Sequence, residues 1–316
     1  MDLFEATLGT LPRLTRATRR DGLLLHGSGD RDALDIEFLL SLLHRHDLVV
    51  LRGFGFDAGS FDSFSKGLFQ DVFNHHNRGR CRVPGSAGTD LLPADGTHRL
   101  PHVERGYAPA IPDLVAFFCE RPADEGGLTT FHHGIDVYRL LRNSAKRFFS
   151  ENRFRWKLHV RRGVWHRVLG VRSIEAVNAT YTRQFRQYVQ EDLGERVSYS
   201  FSGTDLLVEF VTPAVRLHPV NKSPMFINGS LAFLQDIYAG KAISGMLTLE
   251  NGDPVPEHLL AEALESARAC TVALALQSGD TAIANNHAVL HGRTAFADPG
   301  RRMLVQFGMR ARRSAI

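Results

Sequence analysis

Apolar residues recur along this chain with two different periods. Between Arg31 and Arg45 they fall at Leu34, Ile36, Leu39, Leu40, Leu42 and Leu43, a three-to-four spacing that predicts an amphipathic helix. Asp47 to Phe54 is a short apolar run bounded by turn signals and predicts a buried strand. Ser60 then predicts the cap of a helix over 61–69. Strands are predicted at 113–119 and near 128–132, followed by helices near 134–150. The mixed stretch 155–211 holds a predicted helix near 181–192. Further strands are expected at 205–211, 214–218 and 224–228. Pro256 to Gln277 reads as one long helix, whose Gly279-Asp280 end leads into a strand carrying His291, and the last strand covers about 302–309. The many strands predict an α+β, mainly β fold with helices packed outside it. Strand counting alone leaves several β-rich architectures open.

Residues 74–100 break the pattern. They are rich in His, Arg, Gly, Pro and Asp and have little periodicity, so they predict a long loop. Long loops in compact domains tend to be lids or binding loops, and this one is expected to be a lid. His75, Asn77, Arg78 and His98 lie in it and are candidate substrate contacts. No repeat or low-complexity linker divides the chain. It reads as one domain over 1–316, with an expected helical insertion at 140–205.

Composition narrows the function class. The 316 residues are 43% hydrophobic and 23% charged, ordinary values for a globular protein. The net charge of +4 is carried by scattered Arg clusters, not by a basic stripe with aromatics, so nucleic acid is not an expected partner. Three cysteines give no disulfide framework and no C-x-x-C metal pattern. No apolar run reaches membrane-span length, and the N-terminus lacks an apolar secretory core, so the expectation is a cytoplasmic protein without a membrane partner.

The chemistry concentrates in two short segments far apart in the chain. Leu100-Pro101-His102-Val103-Glu104-Arg105-Gly106-Tyr107 places an imidazole and a carboxylate at i and i+2, which share a face on an extended segment. A third ligand from a distant His would complete a two-His-one-carboxylate facial triad with open positions, the arrangement of non-haem Fe(II) oxygenases. His291, on its predicted strand, is that candidate.

With its neighbours the chain resembles the TauD/TfdA family of Fe(II)- and 2-oxoglutarate-dependent dioxygenases. The matching pieces are His102-x-Glu104-x-x-Tyr107, the Pro112-Asp113-Leu114-Val115 stretch, Gly126-Gly127-Leu128-Thr129, Leu290-His291-Gly292-Arg293-Thr294 and the following Arg301-Arg302-Met303-Leu304. Within the family the chain is most similar to the branch of clavaminate-synthase-like proteins and amino-acid hydroxylases of nonribosomal peptide pathways. The resemblance implies a double-stranded β-helix (jelly-roll, cupin-like) core and Fe(II), with 2-oxoglutarate and dioxygen as cosubstrates. It implies His102, Glu104 and His291 as metal ligands and catalytic residues. Arg302 is the implied anchor of the cosubstrate's distal carboxylate, because a guanidinium offers a rigid bidentate fork. Thr129 is its implied helper, and Arg301 is expected on the outer face.

Two departures from the family pattern bear on substrate. Gln306 stands where many members carry a second Arg, so it is a candidate substrate contact and argues against a sulfonate of the taurine kind. Asn285-Asn286 replaces the family's Asp-Asn before the distal His. The expected substrate is a small molecule, an amino acid or its derivative, free or tethered to a carrier protein. Glu104 favours hydroxylation over halogenation, since family halogenases carry a small residue there. Other 2-oxoglutarate-dependent oxidations, a metal hydrolase and a non-enzymatic jelly-roll protein stay open as alternatives. His132 and His133 are further candidates to face the pocket, and His218 matches a family position that is structural.

Overall fold

The computed structural model describes residues 3–7, 22–32, 34–73, 80–162, 172–238 and 246–310. Its largest sheet has nine strands. In spatial order they are β1 (Leu3–Thr7), β2 (Gly22–His26), β3 (Leu48–Arg52), β17 (Thr281–Asn285), β8 (Leu114–Arg121), β19 (Arg302–Met309), β6 (Asp90–Leu91) and β5 (Cys81–Arg82), with β4 (Asp71–Val72) also on β19. The first three strands run parallel and the rest pair antiparallel. A second sheet is ordered β16 (Val272–Leu274), β9 (Thr129–His133), β18 (Val289–Arg293) and β7 (Arg99–His102). A third is ordered β11 (Arg196–Ser202), β12 (Asp205–Pro213), β10 (Arg153–Val160) and β15 (Leu247–Leu249). β13 (Arg216–Leu217) and β14 (Pro224–Met225) form a small hairpin. The result is a mixed α+β fold of largely antiparallel sheets with flanking helices.

The central strands are apolar on both faces because both faces are covered, and period-two alternation divides their side chains. Val115, Phe117 and Cys119 of β8 join Met303, Val305 and Phe307 of β19 in one core, shared with Phe131, Val289 and Leu290 of the second sheet. Leu114, Ala116, Phe118 and Leu304 point the other way, into a core closed by α1 (Ile36–His46) and α2 (Ala58–Leu68). Phe61 of α2 stacks on Phe118 with ring centroids 5.3 Å apart. Burying one such ring contributes roughly 1.5–3 kcal/mol.

Local chemistry sets the ends of α1 and α2. Asp35 caps α1 by accepting from the Phe38 amide at 2.6 Å. Asp57, not Ser60, caps α2. Ser60 is the return arm of a capping box, accepting from the Asp57 amide at 2.8 Å.

The helices expected near 134–150 are α3 (Gly134–Leu140) and α4 (Asn143–Glu151). The chain turns between them, where the Arg142 amide donates to Glu262 at 2.7 Å. The helix expected near 181–192 is α5 (Ile174–Tyr188). α6 (Ser230–Tyr238) follows the small hairpin. The expected helix at 256–277 is α7 (Glu257–Ala269), and its predicted C-terminal part is instead β16, where Val272-Ala273-Leu274 pairs with β9. Residues 80–100 are not all loop. β5 and β6 form a hairpin docked on β19, with Arg82 paired to Asp90 at 2.7 Å. Among the described residues no helix is long and apolar enough to cross a membrane.

Candidate active site

β7 and β18 are antiparallel neighbours, with His102 directly opposite His291. That pairing closes the long gap in sequence. Gly292 permits it, since a Cβ there would meet the Arg99 carbonyl oxygen at 2.6 Å. The two imidazole centroids lie 4.5 Å apart. Glu104 sits in the turn after β7, with Oε1 3.4 Å from His291 Nε2. The three side chains present ligand atoms within 4.8 Å of one another. Asn286 fixes the turn: its side chain accepts from the Glu104 amide at 2.9 Å and donates to the carbonyls of Glu104 and Pro112 at 3.1 and 3.0 Å.

The donor set fits a divalent metal. His102 Nδ1 lies 2.8 Å from the Leu100 carbonyl, which can only accept, so Nδ1 carries the proton and Nε2 keeps a free lone pair. Burial and then the neighbouring His291 push His102 down to about 4, which keeps it neutral at physiological pH. Both ring nitrogens of His291 are buried without a hydrogen-bond partner. Burial opposes ionisation of Glu104, but Arg80 and the two imidazoles outweigh it and hold the carboxyl well below its ordinary range. An ionised carboxylate and two imidazole lone pairs converging in a buried site are what a facial ligand set requires.

A second buried carboxylate–histidine group, Asp47, His133 and His218, has the opposite character. His133 Nδ1 accepts from the Ile135 amide at 3.3 Å, and His218 Nδ1 accepts from the amides of Val220 and Asn221 at 3.2 and 3.3 Å. Each Nε2 therefore carries the proton and donates to Asp47 Oδ2, at 3.2 and 2.8 Å. Asn285 donates to the other oxygen at 2.7 Å. No imidazole lone pair is left for a metal, so this is a hydrogen-bonded clamp between β3, β9, β13 and the β17–β18 turn. Burial raises the Asp47 carboxyl, but the two histidine bonds overcome that and leave it far below its ordinary value of 3.8. Asp47→Asn replaces an acceptor by a donor beside two imidazole N–H groups while tolerating the left-handed backbone (φ 56°). The variant should unfold about 2–3 kcal/mol more easily in urea at neutral pH. Because the folded value is depressed, the clamp contributes fully above pH 3.8 and is lost as pH falls below it, so the gap between variant and wild type should close on acidification.

A cavity of about 570 Å³ opens onto His102, Glu104 and His291, and Thr129, Arg80 and Arg301 line it too. Arg302 does not. Its side chain is 52% exposed and its Nε donates to Glu120 at 2.6 Å on the outer surface. Arg301 is 5% exposed, lies over the Phe296 ring at 5.1 Å and donates Nε to the Gly127 carbonyl at 3.2 Å. No carboxylate pairs with it among the described residues. Burial, and then the nearby Arg293, lower it to about 10. The expected facing of the Arg-Arg pair is thus reversed. Arg301 shares the inner face of β19 with Met303, Val305 and Phe307, and a register shift against β8 falls between Arg302 and Met303.

The same alternation corrects Gln306. It is fully buried but points, like Leu304, away from the triad, and Gly88 packs against its amide. His98 is exposed and does not line the cavity; its carbonyl accepts from Gln235 at 2.7 Å. His75, Asn77 and Arg78 lie outside the described residues. Neither His132 nor His133 lines the cavity; His132 Nδ1 donates to the Ala267 carbonyl at 2.9 Å.

Among the cavity residues that the sequence did not single out are Arg80 and Arg105. Arg80 donates Nη2 to Glu104 Oε1 at 2.7 Å, and its guanidinium lies over the Phe307 ring at 5.6 Å. Tyr107 was visible only as part of the His-x-Glu-x-x-Tyr pattern.

This fold and site define an oxygenase of the non-haem metal class. The chain belongs to the family described as taurine catabolism dioxygenase TauD, TfdA family, whose model matches residues 12–307. It is an Fe(II)- and 2-oxoglutarate-dependent dioxygenase. It is 26% identical over 292 residues to a clavaminate synthase-like protein of Arabidopsis thaliana, covering 84% of this chain and 83% of that protein. Among solved structures, PvcB from Pseudomonas aeruginosa shares the fold with a TM-score of 0.58 and 20% identity, over 92% of this chain and 87% of that one. A taurine dioxygenase from Burkholderia xenovorans does so with a TM-score of 0.53 and 16% identity, over 87% and 81%.

Proposed function

We propose that this enzyme hydroxylates an unactivated C–H bond of an amino acid or amino-acid-derived acid. In this reading the second sheet and the central strands facing it are the double-stranded β-helix core. His102, Glu104 and His291 hold Fe(II), and Arg301 with Thr129 takes the distal carboxylate of 2-oxoglutarate. When bound, the iron and its cosubstrate supply the oxidising power for C–H cleavage. The chain supplies placement. Asn286 holds the Glu104 turn, the Leu100 carbonyl fixes the His102 tautomer, and Phe117, with its ring centroid 5.0 Å from that of His291, keeps one side of the site dry.

The observation that carries the reading is Arg301. A buried guanidinium without a counter-ion is costly, and an incoming carboxylate removes that cost. A hydrolytic metal site has no use for it. The amino-acid substrate is supported by the clavaminate synthase-like relative and by the surplus of arginines over carboxylates in the cavity. The test is succinate formation from 2-oxoglutarate in the presence of Fe(II), across taurine, free amino acids and carrier-bound amino acids. Coupled turnover on amino acids, with product heavier by one oxygen, is expected. Turnover with taurine alone would refute it.

A further inference from the structure

We infer that the end of the cavity formed by Arg80, Arg105 and Tyr107 is a subsite for a carboxylate of the primary substrate, which therefore enters as a free acid and not as a thioester. The inference deepens the reading above and takes from it that Arg301 serves the cosubstrate.

Two of the guanidinium groups that line this cavity, Arg301 and Arg80, lie at opposite ends of β19, while the buried Arg293 is already engaged by Asp95 at 2.6 Å. Arg301 precedes the strand, whereas Arg80 lies over Phe307 near its far end. Six residues of strand separate the two positions by about 20 Å of backbone. A short dicarboxylate held at Arg301 leaves the Arg80 end to another ligand.

Charge at that end calls for an anion. Arg80 and Arg105 line it with Glu104, and Asp90, the next carboxylate near Arg80, is engaged by Arg82 at 2.7 Å. A divalent metal on Glu104 makes the local balance more positive still. Arg80 uses Nη2 on Glu104, while its Nη1 is buried without a hydrogen-bond partner among the described residues. An unmade bond of that kind is costly, and more so for a charged group. A carboxylate accepting from the free edge of the guanidinium would repair it.

The neighbours suit the same ligand. Arg105 directly follows Glu104 and is held in the left-handed region at φ 56°, with its guanidinium 4.7 Å over the Phe73 ring. Tyr107 lies within the electrostatic reach of Arg105, Glu104 and Arg80, and its ring packs edge-on against Trp156 and Phe233. Because Arg80 also holds the carboxylate of the metal site, an acid bound to it is set beside the reacting centre.

The test is calorimetric titration of Mn(II)-loaded protein, saturated with 2-oxoglutarate under argon. Two panels are used, the proteinogenic L-amino acids and straight-chain monocarboxylic acids, each beside its carboxamide. At least one acid should bind about tenfold or more tighter than its amide. Arg80→Lys keeps a charge beside Glu104 but loses the fork, so it should weaken that acid about tenfold and leave the amide unchanged. Arg80→Met should erase the preference. In Arg80→Lys, which keeps a cation beside Glu104, the 2-oxoglutarate affinity should fall far less than in Arg301→Met.

Acid and amide binding alike, no acid bound from either panel, or a preference that survives Arg80→Lys and Arg80→Met overturns the subsite. A preference confined to the monocarboxylic acids supports the subsite and overturns the amino-acid substrate. Normal 2-oxoglutarate binding in Arg301→Met, with the Arg80-dependent preference intact, overturns the cosubstrate role of Arg301 alone.

Discussion

Alanine at His102, Glu104 or His291 should abolish 2-oxoglutarate turnover while leaving a folded protein. Each residue contributes one of the three ligand atoms clustered within 4.8 Å, and a facial site with two protein ligands has lost its geometry. The fold should survive because the triad is not what binds the sheets together. Neither ring nitrogen of His291 has a hydrogen-bond partner, and Nε2 only approaches Glu104 at 3.4 Å, so truncating it removes little beyond packing. Metal binding gives a readout independent of turnover. A ligand at a hundredfold excess over its Kd stabilises the native state by about 2.7 kcal/mol. Mn(II) should therefore raise the melting temperature of the wild type by several degrees and that of the three variants hardly at all. A variant that kept both turnover and the Mn(II) response would remove its residue from the metal site.

The second large effect separates two adjacent arginines. Arg301→Met should raise the Kd for 2-oxoglutarate by at least about thirtyfold, since losing one partner of a buried charge pair costs about 2–5 kcal/mol. Arg302→Met should change it less than about twofold, because exposed ion pairs such as Arg302–Glu120 contribute little. Anaerobic titration of the Fe(II) protein with 2-oxoglutarate, followed by its absorption, measures both. The reverse order of sensitivity would mean that the inner face of β19 is not the cosubstrate side.

The candidate metal cluster was legible in the sequence and its surroundings were not. His102 and Glu104 could be paired on sight because they are two residues apart. His291 could be joined to them because its flanking Leu-His-Gly-Arg-Thr matched a family pattern. Arg301 and Arg302 were a harder case. Identical neighbours carry no facing signal, and which one turns inward depends on the start of β19 and its register against β8. Gln306 failed for the same reason, since its face follows from that register. Arg80 was unreadable for another reason. It lies in a segment without periodicity, and nothing local links it to a carboxylate 24 residues away.

By itself the sequence determined the ligand types, the apolar strands and α1, because these follow from side-chain chemistry and short-range periodicity. It also set the turn chemistry of α2, although it pointed to Ser60 where Asp57 leads. The tertiary structure decided which charged groups face inward. Asp47, His133, His218 and Asn285 come from four distant places and become a clamp only when their strands meet. Arg301 becomes a buried cation lining the cavity, and Arg302 a surface residue, only because strand pairing buries one guanidinium with no carboxylate beside it among the described residues and leaves the other beside Glu120. Charge gains its meaning from desolvation, and desolvation is a property of the assembled fold.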